Sequence, residues 1–374
     1  MLELKGLTRR FGARAALEAV NLAIAEPRFN VVFGGPGSGK SLLLRLIAGL
    51  ERPDEGAVWL HGSDVTSTAP QARRLAYVPQ SFALYPHLKV FENIAHPLRL
   101  AGSPAAEIKQ AVARVASTLQ ISSVLGHYPD QISGGQRQRV AIARGLVRQA
   151  DIYLLDDPLA GLDYKIREAL LDELRDLQER LKALFVYATS NPLETLALAD
   201  YVHVLVDGRI VDAGPPEQLS GAPKALWTRL NLGYPLTNSL ASRLTSADGR
   251  LLCENDLFAV CMEEACTAAV DADRVFATFR PEDVRAVPPN EIGERLIDFQ
   301  AEVGFVEDIG GERILHLATP AGEVLAIHGL DIQIAPPKTR ETFRLRPSDV
   351  LVYNSVGCFT GRGASAPRRA ALDA

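Results

Sequence analysis

The sequence predicts an α/β fold with a helical insert, followed by a separate all-β domain. Three observations carry that expectation. In the first part of the chain, apolar runs bounded by Gly and Pro alternate with helical patterns, as at 31–33, 42–50 and 76–78, which is how a sheet with crossover helices reads. From about 91 to 150 the pattern is helical throughout, with Ile108, Val112, Val115 and Leu119 at helical spacing. Beyond Asn238, short segments of period 2 take over, punctuated by turn signals.

Taken in order, strand signals resume after the helical stretch at 152–155, 184–187 and 202–206, with a helix over 164–181 between the first two. The α/β pattern closes near Trp227. The later segments 275–279, 301–306, 314–318 and 324–327, with Gly310-Gly311 and Pro320-Ala321-Gly322 between them, suit a barrel or sandwich. The expected domains are therefore 1–234, with the helical insert at about 88–150, and 235–360. The end of the chain, 361–374, is rich in Gly, Ala, Arg and Pro and is expected to be disordered, since it offers little to bury.

At 374 residues the chain has room for two or three domains, each with its own core. Its 40 Lys and Arg against 45 Asp and Glu leave a net charge of −5 without a basic stripe, which argues against nucleic acid as a partner. No run of some 18 apolar residues is present that could span a bilayer, so any membrane role is expected to be peripheral. Met1-Leu2-Glu3-Leu4-Lys5 lacks the charged and apolar regions of a secretion signal, and the expected location is cytoplasmic. Cys253, Cys261, Cys266 and Cys358 form no CxxC pair and are expected to be reduced, mostly buried thiols.

The segment Gly34-Gly35-Pro36-Gly37-Ser38-Gly39-Lys40-Ser41 satisfies GxxxxGK[ST], follows an apolar strand and opens a helix, the context that makes such a pattern a P-loop. Its glycines let successive backbone N–H groups converge on phosphates, and the helix N-terminus adds partial positive charge. Lys40 supplies a full charge, and Ser41 a hydroxyl for Mg²⁺. The apolar run Ile152-Tyr153-Leu154-Leu155 ends at Asp156, as a buried strand delivering a carboxylate for Mg²⁺ would. In Ile132-Ser133-Gly134-Gly135-Gln136-Arg137-Gln138-Arg139, Ser133 and Gln136 have the spacing of a capping box. Two glycines inside the cap exceed what capping needs and would bare backbone amides to an anion.

The phosphate loop, Gln80 after a strand, the ISGGQRQR segment, the strand ending at Asp156 and Leu159-Ala160-Gly161-Leu162-Asp163 stand in an order and spacing that resemble an ATP-binding cassette (ABC) ATPase over essentially the whole chain. The stretches 79–87 and 233–238, with Phe279-Arg280-Pro281-Glu282-Asp283, resemble the importer ATPases for sugars and polyols of the maltose-importer type. The resemblance implies an α/β P-loop NTPase with a C-terminal OB-like, TOBE-type β domain, and ATP and Mg²⁺ as cofactors. It implies that Phe11 stacks on adenine, that Gln80 contacts Mg²⁺ and the attacking water, and that Asp163 bridges two cassettes. It further implies that residues 82–87 face a permease, and that Ser133, Gly134, Gly135 and Gln136 face the ATP of a second cassette. The implied partners are two membrane permease subunits and, indirectly, a periplasmic or extracellular solute-binding protein, which places the chain at the cytoplasmic face of the plasma membrane.

Two positions depart from the family. Where it has Glu after the Asp156 equivalent, this chain has Asp157, whose carboxylate is one methylene, about 1.5 Å, shorter in reach. Help from a general base is worth roughly 10²–10⁴ in rate, so lost reach is expensive. Where the family has His after the next strand, this chain has Ser190, which cannot present an imidazole to a γ-phosphate. A slow site of its own beside an intact SGGQ favours pairing with a second, related ATPase over a slow homodimer. A soluble cassette protein of DNA repair or translation is the reading from another class, and the long coiled coil or tandem cassettes it needs are not visible. The β domain could also serve as a regulatory module, which is compatible with import. Sugar, polyol or glycerol-type solutes are implied; polyamine, sulfate and iron importers share much of the cassette.

Overall fold

The computed structural model describes residues 1–81, 83–148, 150–247, 250–263, 274–287, 296–332 and 336–364. Two compact units are present, Met1–Pro216 and Glu217–Ala374.

The first unit is built on a six-stranded sheet in the order Arg209–Gly214, Tyr201–Val206, Phe29–Phe33, Leu184–Thr189, Ile152–Asp156, Leu75–Val78. All but the first of these run parallel. Phe29–Phe33, Ile152–Asp156 and Leu184–Thr189 are buried at every position, as parallel strands covered on both faces must be. Arg209–Gly214 turns back through Asp207 and Gly208, both at positive φ, the Asp-Gly chemistry of a two-residue hairpin. A second, four-stranded antiparallel sheet holds Arg14–Ile24, Leu2–Phe11, Glu55–Leu60 and Ser63–Asp64. Its N-terminal pair was not among the expected strands: Leu2 and Leu4 alternate with exposed Glu3 and Lys5, but a register shift before Leu7 breaks the alternation.

Helix Lys40–Ala48 lies in the core that joins these two sheets, which is why Leu42, Leu43, Leu44, Leu46 and Ile47 are buried all round it. Its last turn is closed by Gly49 in the left-handed region and by Arg73, whose guanidinium donates to the Leu46 and Ile47 carbonyls at 2.8 Å each. The insert folds as helices Val90–Leu100, Ala105–Thr118 and Gly134–Leu146, and Ile108, Val112, Val115 and Leu119 are all buried. The C-terminal ends of the parallel strands lead directly into the phosphate loop, Gln80, Asp157 and Ser190, so one sheet edge gathers the candidate site.

In the second unit a closed barrel orders Asn238–Ala247, Arg250–Glu254, Ala259–Met262, Phe359–Ala364, Leu351–Asn354 and Val275–Phe279. A five-stranded sheet holds Arg285–Ala286, Arg340–Leu345, Ile297–Asp308, Glu312–Thr319 and Gly322–Gly329. The two share one core, with Phe279 and Val352 from the barrel and Val303, Leu317 and Phe343 from the sheet. The all-β expectation holds, in the form of two sheets.

Two boundaries are corrected. The units divide after Pro216 instead of after 234, because the backbone of 217–234 finds its partners in the second unit: Leu226 N–H donates to the Gly357 carbonyl at 2.7 Å, Ala225 bridges to Cys358, and Tyr353 Oη donates to the Pro223 carbonyl at 2.9 Å. Residues 361–364 of the expected disordered tail belong to strand Phe359–Ala364, which pairs with Ala259–Met262 and closes the barrel. Gly363 fits there because a Cβ would sit 2.3 Å from the Pro347 carbonyl oxygen, so a composition that reads as disorder is a requirement of close approach. Residues 365–374 lie outside the described residues, as do Phe82 and Cys266. Of the three described cysteines only Cys253 is buried, with Cys261 half-buried and Cys358 exposed.

Candidate functional site

The phosphate loop is shaped by contacts that only glycine permits. At Gly34 a Cβ would lie 2.2 Å from the Leu205 carbonyl oxygen and 2.7 Å from Ser38 Oγ, and Gly39 turns at φ 107°. Lys40 is buried and its Nζ donates to the carbonyls of Gly34 (2.7 Å) and Gly35 (2.9 Å), folding the loop around its own cation. Burial lowers the Lys40 pKa, while Asp157 and Asp156 oppose that shift. Ser38 Oγ is buried without a hydrogen-bond partner, an orphaned group of the kind a phosphate oxygen would satisfy. Phe11 is 54% exposed and lines, with Arg14, Gly37, Gly39, Lys40, Ser41, a cleft of about 670 Å³.

Opposite the loop, buried Asp156 accepts from Ser41 Oγ at 2.9 Å and from Tyr77 Oη at 3.1 Å. The two expected Mg²⁺ ligands are thus brought together, and the third, Gln80, lies beside the neighbouring carboxylate, its Nε2 donating to Asp157 Oδ2 at 3.3 Å. Asp157 sits at φ 46°, with its N–H donating to the Ala188 carbonyl at 2.8 Å. Burial and Glu194 push its carboxyl above the usual carboxylate range, and Lys40 and Arg167 pull it back. Relative to the unfolded chain the fold therefore disfavours the charged form of Asp157, so the ionised carboxylate costs some stability at neutral pH, a cost that declines as pH falls through the raised value towards the ordinary one. Asp157→Asn is expected to raise the Tm at neutral pH by about 2 °C, with the gap to wild type closing on acidification. Thermal melts across pH check this, and an Asn variant less stable at neutral pH would show the carboxylate to be held by favourable contacts.

Ser190 is exposed at the end of the central strand Leu184–Thr189. Just behind it, Glu194 is 2% exposed and accepts from Tyr187 Oη (2.9 Å) and Thr189 Oγ1 (2.7 Å). The capping box is formed: Ser133 Oγ accepts from Gln136 N–H at 3.2 Å, and Gln136 Oε1 from Ser133 N–H at 2.9 Å. Gln136 is therefore engaged within its own helix, while Ser133 and Gly134 are exposed at its first turn. Asp163 caps helix Tyr164–Leu181 by accepting from Ile166 N–H at 3.0 Å. The structure thus assembles one site from loop 34–41, Gln80, Asp156, Asp157 and Ser190, and holds Ser133–Gln136 and Asp163 at separate helix N-termini.

A model of the ABC transporter family matches residues 17–160. The chain is 36% identical over 323 residues to the xylose/arabinose import ATP-binding protein XacJ of Haloferax volcanii, covering 85% of this chain and 83% of the relative. The chain belongs to the ABC transporter ATP-binding family. It is also 36% identical over 293 residues to the spermidine/putrescine import ATP-binding protein PotA of Marinobacter nauticus, covering 78% of each. The dimeric post-hydrolysis structure of the ATP-binding cassette MJ0796 with ADP and Pi aligns with a TM-score of 0.54 at 30% identity, covering 57% of this chain and 98% of that one. This ABC cassette is an ATP-binding, ATP-hydrolysing protein, and the OB-like reading of its β unit stands with the fold. No helix among its described residues is long and apolar enough to cross a membrane.

Sequence reasoning missed Tyr77, Arg14, Arg167 and Glu194. Tyr77 reaches Asp156 only through the pairing of strands Leu75–Val78 and Ile152–Asp156. Asn191-Pro192-Leu193-Glu194 carries the marks of a helix start, with Asn191 as the cap, which suggests a solvent-exposed Glu. Its burial is decided by Tyr187 and Thr189.

Proposed function

We propose that this chain is the ATP-binding subunit of an importer, docked on two permease subunits at the cytoplasmic face of the membrane, and that it takes up a sugar, polyol or glycerol-type solute. The match to XacJ supports the solute class, since it runs over 323 residues against 293 for PotA. A solute-binding protein outside the membrane acts through the permeases. Tyr85, which packs against His96 at 4.7 Å and lies under Arg144 at 5.6 Å, belongs to the proposed docking face 82–87, of which Phe82 lies outside the described residues.

ATP would lie with adenine at Phe11, phosphates in loop 34–41, and Mg²⁺ held by Ser41, Asp156 and Gln80, where the Mg²⁺ neutralises phosphate charge. The orphaned Ser38 Oγ and the convergence of Ser41 on Asp156 support that fit. Asp157 takes the proton of the attacking water as its oxygen bonds the γ-phosphorus and the bridge to the β-phosphate breaks, giving ADP and phosphate. With a short base and Ser190 in place of an imidazole, this step is slow in the chain's own site. Ser133 and the amides of Gly134 and Gly135 complete the site of a second, related ATPase, and ATP in this chain's site acts mainly to hold the pair together. A slow homodimer is the alternative.

The single observation that carries the asymmetry is an Asp157–Ser190 site beside an exposed, intact SGGQ helix start. The purified chain is expected to release phosphate slowly. Asp157→Glu with Ser190→His should raise the rate more together than either alone, by roughly 10²-fold, because both act on one transition state. A fast wild-type chain, or a double variant no faster, would refute the slow-site reading.

A further inference from the structure

We infer that Arg167 and Glu194 are positioning residues that set the segment 159–163, the part of this chain offered to a facing cassette, by tying it to the end of the strand that carries Ser190. The inference deepens the pairing proposed above and rests on it.

Glu194 is buried, and a buried carboxylate persists only where its oxygens are engaged. Oε2 accepts from Tyr187 and Thr189, the last residues of the strand before Ser190. Oε1 accepts from Asn191 Nδ2 at 3.4 Å and forms an ion pair with Arg167, whose Nε lies 3.4 Å away without hydrogen-bond geometry. Arg167 stands in the first turn of helix Tyr164–Leu181, and its Nη2 donates to the Leu162 carbonyl at 2.8 Å. Within the segment the backbone bonds are longer: Ala160 N–H to Asp157 at 3.2 Å and Leu162 N–H to Leu159 at 3.4 Å. The guanidinium thus fastens a loop that its own backbone holds loosely. Leu162 in turn packs toward the SGGQ helix: a Cβ built at Gly135 would lie 3.6 Å from Leu162 Cδ2 and 3.5 Å from Ile166 Cδ1, ordinary contact.

Contacts therefore run from the end of strand Leu184–Thr189 through Glu194 and Arg167 to the Leu162 carbonyl, and the Leu162 side chain lies on the side of Gly135. Neither charged residue lines the cleft of Phe11 and the phosphate loop. Arg suits the position because its planar fork reaches a carboxylate with one nitrogen and a carbonyl with another, which the single ammonium of Lys cannot do at once. A displacement of the strand end is carried by this tie to the face that completes the other cassette's site.

Hydrogen–deuterium exchange on the purified full chain tests the tie. Arg167→Ala is expected to raise exchange over 159–163 by about tenfold, with exchange at 34–41 and the affinity for ATP close to wild type and the Tm lowered by the loss of the cation beside buried Glu194; Arg167→Lys restores only part of the protection. Glu194→Gln, which keeps the shape and removes the charge, gives the same pattern and serves if Arg167→Ala folds poorly. In the complete transporter purified with its permeases, Arg167→Ala lowers kcat for ATP by about tenfold at unchanged KM. Unaltered exchange at 159–163, a rise spread equally over 34–41, or a changed KM with kcat intact would overturn the assignment. Exchange is read on the isolated chain, so it decides the tie even where the pairing fails, and pairing is decided separately by the number and identity of cassettes in the purified complex.

Discussion

Lys40→Ala is expected to weaken binding of an ATP analogue by on the order of a hundredfold or more, corresponding to the loss of about 3 kcal/mol of charge-assisted contact. Lys40 is the full positive charge within the loop, buried at the start of helix Lys40–Ala48 and already aimed at the loop's interior, where its ammonium donates to the Gly34 and Gly35 carbonyls. Several phosphate charges entering that space need a mobile cation, and the backbone amides supply only partial charge. The same substitution also removes two hydrogen bonds that shape the loop, so Lys40→Arg is the control: it keeps the charge while changing the geometry. A titration of the purified chain, with the Tm measured alongside, checks the expectation. An unchanged affinity at unchanged stability would refute the role of the loop.

What could be read from the sequence follows the distance over which each feature is encoded. The phosphate loop needs eight consecutive residues, and its backbone donors, glycine turns and cation all lie within them; Asp156 is announced by the apolar run that buries its strand. Helix Tyr164–Leu181 matches its expected limits because its apolar positions keep helical spacing, and strand Val275–Phe279 because it is a short, largely buried run. Tyr77 and Glu194 were illegible for the opposite reason. Each acquires its role from a neighbour that only strand pairing or a helix return brings close. The unit boundary failed similarly, since residues 223–226 are claimed by partners at 353–358, far along the chain. Gly363 shows how composition misleads: the residue that suggests a free tail is the one the barrel needs where backbone passes backbone.

Ser133→Arg is expected to damage transport more than Asp157→Asn does. Ser133, Gly134 and Gly135 open helix Gly134–Leu146, with Ser133 and Gly134 exposed and the Ser133 hydroxyl oxygen already committed to the Gln136 amide. If this helix start completes the other cassette's ATP site, an inserted Arg both breaks the cap and occupies the space that closure must empty. Loss of a preorganised contact of this kind costs roughly 10²–10³ in rate. Asp157, by contrast, sits in the site proposed to be slow, and Asn keeps its volume and one acceptor while relieving the repulsion from Glu194. Uptake should then fall at least tenfold further for Ser133→Arg than for Asp157→Asn. The comparison is made as ATP-dependent solute uptake in proteoliposomes holding the complete complex, with equal assembly verified. If Asp157→Asn stops uptake while Ser133→Arg leaves it intact, this chain owns the working site and the roles of the two cassettes are exchanged. If the two variants fail equally, both sites turn over, and the homodimer becomes the better account of a chain whose base is short but sufficient.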